Sequence, residues 1–269
     1  MNNPVLKFAN QNSKKRTENM EVHHHPDNHH NSKKWKEYFS EFLMIFLAVT
    51  LGFFAENIRE HLTDSAKEKE YIAGFVDNLK DDTASLRYVI DFNEQHEKGI
   101  DSILKHAHIN MIIDSNRKSF YNLALHYLYS SAWFKSNDNT LQQLKNTGDY
   151  RLIEKGHIAD SLTKYDADIH SVYAQGSYYE AYFKDILNRL DEIMDITILS
   201  DTSFVKNGKL VGIVFPALRD DHGKLLTLFN KIFDFKSTTN YYVQRNLKPQ
   251  FENAKNLLVF LKKEYHIKD

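Results

Sequence analysis

The first long apolar run of the chain lies between residues 38 and 55, and residues 42–55 carry no charge. Counting from Tyr38 gives eighteen residues in which Glu41 is the one charged side chain. An α-helix of that length measures about 27 Å, close to the roughly 30 Å hydrocarbon core of a bilayer. Apolar residues surround this helix on all sides, which indicates either a membrane span or a deeply buried core helix. We predict an uncleaved transmembrane helix over residues 35–57, with a core or interfacial helix as the alternative.

Beyond this segment, one series of positions recurs about every 3.5 residues. The series predicts a long helix that continues to about residue 106 and packs on one side against other helices. Because polar residues interrupt the series, a helical bundle is favoured over a sustained coiled coil. The charged stretches 68–70 and 80–82 are interpreted as water-facing surface. The apolar members of the series are Ile58, Leu62, Ile72, Val76, Leu79, Leu86 and Ile90, and its polar members are Ser65, Lys69 and Thr83.

Similar spacing predicts the remaining helices, and the absence of proline between residues 27 and 215 favours those that precede residue 216. Thr140 and Gln143 match a capping box at one helix start, and Gly148 is suited to end the same helix in a left-handed conformation. The predicted helices run from Asn116 to about Phe134, from Thr140 to Gly148, from Asp149 to about Met194, from Lys224 to about Phe235 and from Thr239 to about Tyr265.

The pattern changes over residues 202–215, where two runs rich in β-branched residues flank Asn207-Gly208. This dipeptide favours a type I′ turn, so the sequence predicts a small hairpin. The expected fold class is all-α, with one N-terminal transmembrane helix that continues into a long helix and an irregular helical bundle with one small β-hairpin. The expected domains are a disordered polar arm over residues 1–34, a transmembrane helix over 35–57 and a helical soluble domain over 58–269.

Composition and motifs exclude several classes of function. The 269 residues include no cysteine, which excludes disulfides, thiolate zinc sites and cysteine nucleophiles. The net charge is 35 − 36 = −1, so no overall field attracts nucleic acid. The sequence has no phosphate-binding loop, dinucleotide fingerprint, two-histidine zinc helix or nucleophile elbow. We therefore expect no catalytic activity, no cofactor and no nucleic-acid partner.

The polar arm holds a group of histidines that could bind a metal ion. Neutral imidazoles at this density can bind zinc, copper or nickel, and they become charged as the pH falls below about 6.5. A hydrophilic arm with biased composition is the simpler interpretation. The candidate metal ligands are His23, His24, His25, His29 and His30.

Three residues of the apolar segment are candidates for contact with a partner. A carboxylate in a membrane span is costly unless it is protonated, reaches the headgroups or faces a partner, and Glu41 lies near one end of the segment. Reaching the headgroups is the simplest interpretation, and a role in an ion path or against a partner is the alternative. Thr50 and Gly52 offer small side chains for association with another helix.

The charges beside the apolar segment favour one orientation in the membrane. Lys33, Lys34 and Lys36 precede the segment closely, whereas Arg59 alone follows it at the same distance. Because positive residues collect on the cytoplasmic side, the N-terminus is predicted to be cytoplasmic and the C-terminal domain to lie outside the cytoplasm.

Two stretches carry a resemblance to known proteins. Residues Trp35–Glu60, which follow the histidine-rich tail, resemble the opening of an uncharacterised family of bacterial single-pass membrane proteins, and residues Leu141–Ile153 resemble a second recurring segment of that family. The resemblance implies a membrane-anchored helical protein. Together with the flanking charges, it leads us to expect the inner membrane as the location, with the C-terminal domain in the periplasm. It implies no activity and no catalytic residue.

The first functional hypothesis is a membrane-anchored, non-enzymatic interaction, scaffold or sensor-like protein of the bacterial envelope. Its partners would be the lipid bilayer and a membrane or envelope protein, or a second copy in a homo-oligomer. One alternative is an accessory subunit of an ion-driven or transport complex in which Glu41 is the working residue. A second alternative is a metal-binding protein that uses the histidine arm.

Overall fold

The computed structural model describes residues 34–200, 205–206, 209–210, 212–220 and 223–268, and helix accounts for 82% of the structure. The chain divides into two compact units, residues 1–57 and residues 58–269, which are described separately. The five histidines of the polar arm lie outside the described residues.

The first helix, α1, comprises Trp35–Leu104 and ends close to the predicted position. In the first unit, all of its described residues are exposed. Its apolar part makes it the one helix of the described chain that is long and apolar enough to cross a membrane. In the second unit, the predicted series of apolar positions is buried from Ile72 onward, as expected for a helix that packs on one side.

The remaining helices form the core of the second unit. Helix α4 packs along α5 and α6, and its buried side chains recur at intervals of three, four or seven residues, which is the spacing of one helix face. The helices are α2 (Asp114–Tyr127), α3 (Asn139–Thr147), α4 (Gly156–Ile193), α5 (Lys224–Tyr241) and α6 (Lys248–Tyr265), with short 3₁₀ turns at Asp149–Leu152 and Thr197–Ser200.

The segment between α2 and α3 differs from the prediction. Helix α2 ends at Tyr127, whereas the sequence predicted helix to about Phe134. Phe134 is instead buried in an irregular segment. Its backbone N–H donates a hydrogen bond to the Tyr242 hydroxyl oxygen (3.2 Å). The predicted capping box is also wrong, because Thr140 lies inside α3 instead of preceding it. The Thr140 hydroxyl donates a hydrogen bond to the side-chain oxygen of Asn78. Gly148 does end α3 in a left-handed conformation (φ 72°), as predicted.

The β component of the predicted fold class is wrong. The described residues are all-helical and include no hairpin of the predicted extent. Antiparallel pairing joins only Val205–Lys206 to Lys209–Leu210, two residues on each side, and Asn207-Gly208 lies outside the described residues. The alternation in residues 213–215 has another cause: Ile213 and Phe215 are buried in an irregular segment that packs on the helices, and Val214 is exposed. Packing against helices therefore produced this alternation of buried and exposed residues, without hydrogen bonding to a neighbouring strand.

A π-helical turn, Tyr242–Leu247, joins α5 to α6 without interruption. Pro249 at the start of α6 has no N–H to donate, and its ring excludes the ordinary packing of the preceding turn. A wider turn immediately before a proline relieves this conflict. The two predicted C-terminal helices are thus one continuous helix that contains a π-helical turn.

Gly99 allows α1 and α2 to approach closely. A Cβ atom at this position would lie 2.3 Å from ring carbons of Tyr127. We expect Gly99→Ala to lower the free energy of unfolding by about 1–3 kcal/mol, because the ring must shift in a packed core. Gly156→Ala is the matched control, since a Cβ there meets no atom within 4 Å. Equal urea midpoints for the two variants would contradict the close approach.

Candidate functional site

The residues predicted to face a partner all lie on α1, but they do not share one face. An α-helix turns about 100° per residue, so Glu41 and Gly52 lie about 20° apart around the axis, and Thr50 lies on the opposite side. Each of the three residues is exposed, and a Cβ on Gly52 would meet no atom within 4 Å. The structure therefore groups Glu41 with Gly52 along one face and separates Thr50 from both.

A buried carboxylate network in the second unit was missed by the sequence analysis. Asp82 on α1 is 2% exposed. Its carboxylate accepts hydrogen bonds from the Ser136 hydroxyl (2.5 Å), the Asn137 backbone N–H (2.6 Å) and the Tyr165 hydroxyl (2.7 Å). The Ser136 backbone N–H in turn donates to the Tyr173 hydroxyl (2.9 Å). All three donors to Asp82 are neutral, and together they join α1 to the α2–α3 segment and to α4.

The burial of Asp82 affects its protonation. Burial raises the pKa of the Asp82 carboxyl, although the hydrogen bonds from Ser136, Asn137 and Tyr165 oppose that shift. Because its pKa is higher in the folded state, the carboxyl favours folding at low pH, and this contribution is lost as the pH rises through the folded pKa. Burial of Tyr165 itself and the nearby Asp82 carboxylate both raise the pKa of the Tyr165 hydroxyl.

Two further contacts connect α1 to distant parts of the second unit. Glu68 is buried, and its carboxylate accepts hydrogen bonds from the Tyr265 hydroxyl (2.6 Å) and from the backbone N–H of Glu154 (3.2 Å). The Tyr71 hydroxyl donates to Asp149 (2.5 Å). Burial and the Glu68 acceptor both raise the pKa of Tyr265. Carboxylate–tyrosine pairs thus hold α1 to α6 and to the segment after α3.

The interpretation of stretches 68–70 and 80–82 as entirely water-facing is wrong for Glu68 and Asp82. A signal was present in the sequence: Glu68, Phe75, Asp82 and Val89 are spaced seven residues apart, and all four are buried. A carboxylate that shares a heptad position with Phe and Val is a candidate for burial, because residues seven apart lie on the same face of a helix.

The Tyr71–Asp149 contact predicts a pH effect on stability. The Tyr71 hydroxyl, aided by Thr147, holds the pKa of Asp149 below its ordinary value of 3.8. A lowered folded pKa contributes stability above the unfolded value, and this stability is lost as the pH falls through the folded pKa. We expect Tyr71→Phe to lower the urea midpoint near pH 6, with the difference becoming smaller as the pH falls below 3.8 and disappearing only below the folded pKa of Asp149. Tyr88→Phe, at an exposed position of the same helix, is the control. A difference for Tyr71→Phe that persists unchanged at pH 3 would contradict the pairing.

Next to this network, a groove of about 340 Å³ runs between α4 and α6. On each helix the lining residues lie three, four and seven positions after the first, which places them on one face. The groove therefore extends along about two turns of α4 and two turns of α6. Tyr165 lines the groove and also donates to buried Asp82, so it connects the groove to α1. The lining is apolar at Leu257 and Phe260, and its polar members are Ser161, Lys164, Asp168, Asn253 and Asn256.

The described part of the chain holds a histidine close to a serine but no cluster of metal-binding side chains. No group of three or more His, Asp or Glu side chains there could hold a metal ion. His96 Nε2 lies 3.0 Å from the Ser130 hydroxyl, and its Nδ1 lies 2.9 Å from the Phe92 carbonyl oxygen. Burial lowers the pKa of His96, so its neutral form could act as a base. Neither His96 nor Ser130 lines the groove between α4 and α6, however, so the pair has no adjoining substrate site there.

No family model, curated protein or solved structure matches the chain. The resemblance of Trp35–Glu60 and Leu141–Ile153 to an uncharacterised membrane-protein family therefore stays a prediction.

Proposed function

We propose that the chain is a single-pass membrane protein whose helical second unit, residues 58–269, binds another envelope protein and performs no catalysis of its own. The observation that carries the proposal is the exposure of the apolar part of α1. Its most apolar eighteen-residue window has a mean hydropathy of 1.8, and none of that window is buried.

The core helix of a water-soluble protein would bury these side chains. Leaving a large apolar side chain in water instead of burying it costs about 1.5–3 kcal/mol, and many such residues are exposed here. Lipid offers a suitable environment because every backbone group of a helix is hydrogen-bonded within the helix itself. The large exposed side chains of the segment are Trp35, Tyr38, Phe39, Phe42, Leu43, Met44, Ile45, Phe46, Leu47, Val49, Leu51, Phe53 and Phe54.

The flanking charges support an orientation with the N-terminus in the cytoplasm. Three lysines closely precede the segment and one arginine closely follows it, which favours a second unit that lies outside the cytoplasm. The resemblance to bacterial single-pass proteins supports the inner membrane as the location.

An exposed apolar patch on the second unit supports protein binding. Ile112 is 85% exposed, and Ile109 and Ile113 beside it are exposed as well. These residues lie between α1 and α2, and a groove of about 360 Å³ runs from Ile109 and Ile112 to Leu218 and Leu225. Contiguous apolar surface of this kind is typical of protein–protein interfaces.

Purification of the full chain in mild detergent tests the proposal. We expect the chain to be extracted from the membrane fraction and to migrate well above its monomer mass of 31.6 kDa plus detergent, together with a stoichiometric protein partner or a second copy. Replacement of Ile112 by Arg should remove an envelope partner without releasing the chain from the membrane. A strictly monomeric chain with no associated protein would contradict the proposal.

A further inference from the structure

His96 on α1 and Ser130, which follows α2, form a hydrogen-bonded pair that the proposed function does not use. His96 Nδ1 lies 2.9 Å from the Phe92 carbonyl oxygen. Because a carbonyl oxygen only accepts hydrogen bonds, Nδ1 carries the proton, and Nε2 of the neutral ring is left as an acceptor. The Ser130 hydroxyl, 3.0 Å from Nε2, is therefore the donor. A hydrogen bond in this direction lets a histidine remove the proton of a serine.

Two aromatic rings hold the His96 ring in this orientation. Phe92 stacks on it with 3.8 Å between ring centroids, and Tyr127 meets it edge-on at 5.6 Å. The hydroxyl, the imidazole and the Phe92 carbonyl thus form a nucleophile, a base and a group that orients the base, which is the usual arrangement around a reactive serine. The base is in position before any electrophile arrives, so its ordering adds no cost to the reaction.

The protonation of His96 is compatible with its acting as a base. Burial lowers the pKa of the imidazole below its ordinary value of 6.5, and the nearby His126 lowers it further, whereas the hydrogen bond to the Phe92 carbonyl opposes the shift. The other groups that contact the ring are the aromatic side chains of Phe92 and Tyr127 and the Ser130 hydroxyl. Nε2 is therefore free of a proton at neutral pH.

Ser130 is accessible to an electrophile that arrives from water. The residue is exposed and lies in an irregular segment. The backbone N–H groups of Ser130 and Ser131 donate to no acceptor in the part of the chain that the structure describes. A free N–H beside a nucleophile stabilises the negative oxygen that forms when the nucleophile attacks a carbonyl group.

We infer that Ser130 is a site of covalent modification that accepts the acyl group of an activated carboxylic ester. Ser130 Oγ attacks the ester carbonyl while its proton passes to His96 Nε2, and a bond between oxygen and the acyl carbon forms. The bond from the acyl carbon to the leaving oxygen then breaks, and His96 returns the proton to that oxygen. The inference goes beyond protein binding and leaves that proposal unchanged, because it assigns one acyl transfer and no turnover.

A fluorescent fluorophosphonate tests the site in the full-length chain in native membranes near pH 7. The Ser130 oxygen would bond to phosphorus, and fluoride would leave with the proton. Mass spectrometry of the digested chain locates the label, which we expect on Ser130. His96→Gln should slow the labelling about ten-fold or more, since a positioned base contributes about 10²–10⁴-fold. Ser131→Ala, at the neighbouring serine, is the matched control and should be labelled at the rate of the unaltered chain.

Two further measurements use the unaltered chain alone, so they do not depend on the folding of a variant. Labelling should become slower as the pH falls through the pKa of His96, because the protonated ring cannot take up the serine proton. Labelling should also be lost in urea, where the pair is separated. With p-nitrophenyl acetate in place of the fluorophosphonate, an acetyl group should be found on Ser130.

The inference is overturned if Ser130 is not labelled, or if His96→Gln is labelled as fast as the unaltered chain. It is also overturned if labelling in urea equals that of the folded chain, because the reactivity would then owe nothing to the pair.

Discussion

Replacing Phe46 and Val49 together by arginine is expected to release the chain from membranes. Both side chains are exposed and lie near the middle of the apolar run. An arginine at the centre of a membrane helix costs about 2.5–3.5 kcal/mol on insertion scales, so the pair costs about 5–7 kcal/mol. Sedimentation after alkaline extraction measures the result. The unaltered chain should be found in the pellet and the double variant in the supernatant or among degradation products.

The matched control places the same charges on the second unit. Ile112 and Ile113 are exposed large apolar residues outside the apolar helix segment, and their replacement by arginine adds two identical side chains. This double variant should remain in the membrane pellet. Equal release of both double variants would show that added charge or loss of folding, rather than exclusion from lipid, explains the effect.

The second large effect is expected from Asp82→Ala. The substitution leaves the Ser136 hydroxyl, the Asn137 N–H and the Tyr165 hydroxyl without their acceptor in a buried site. A buried unpaired donor costs about 1–3 kcal/mol, and part of the loss is offset because a buried charge is removed. We expect a loss of about 2–4 kcal/mol in the free energy of unfolding, or roughly 4–16 °C in melting temperature for a unit of this size.

Two controls separate the hydrogen bonds from the charge. Asp81→Ala removes the neighbouring, exposed carboxylate, which accepts a hydrogen bond only from the Asn137 side chain among the contacts described, and should change stability by less than about 0.5 kcal/mol. Asp82→Asn keeps an acceptor and removes the buried charge, so it should retain most of the stability of the unaltered chain. If Asp82→Ala proves as stable as Asp81→Ala, the network does not hold α1 in place.

The helices could largely be predicted from the sequence, because apolar spacing directly reflects which face is buried. The series from Ile72 to Ile90 gave the packing side of α1, and Gly148 gave the end of α3 through its left-handed conformation. The start of α2 and the ends of α1 and α4 also fall within a few residues of the predictions.

Errors arose where tertiary packing produced a local pattern. The alternation of Ile213, Val214 and Phe215 looks like a strand, but the Phe215 ring stacks on Tyr121 (4.5 Å between centroids) and its carbonyl accepts from Arg117 (3.0 Å). Contacts with side chains of α2 therefore take the place of pairing with a neighbouring strand in this segment. Such contacts join residues about a hundred positions apart, so local sequence carries no sign of them.

The candidate site could be predicted only in part. The charge of Glu41 and the small size of Gly52 are evident in the sequence, and helix geometry alone groups them on one face. The carboxylate network could not be anticipated from composition, since its donors Ser136, Asn137 and Tyr165 come from two other elements. Only the heptad spacing of Glu68 and Asp82 with buried apolar residues pointed to it.

One side chain connects the groove between α4 and α6 to α1. Tyr165 lines the groove between α4 and α6, and its hydroxyl donates to Asp82 on α1. A ligand or partner that displaces the Tyr165 ring would therefore remove one of the three hydrogen bonds to that carboxylate. A buried acceptor that loses a donor is destabilised, so α1 would shift or the carboxyl would take up a proton.

The most direct test of the membrane anchor is the accessibility of a spin label at residue 47. Leu47→Cys and Ile112→Cys are labelled separately in the cysteine-free chain, which is then reconstituted in lipid vesicles. At residue 47, we expect collisions with oxygen, which concentrates in hydrocarbon, to exceed collisions with a water-soluble nickel complex, and the reverse at residue 112. Preferential access of the nickel complex to both positions would contradict a transmembrane α1.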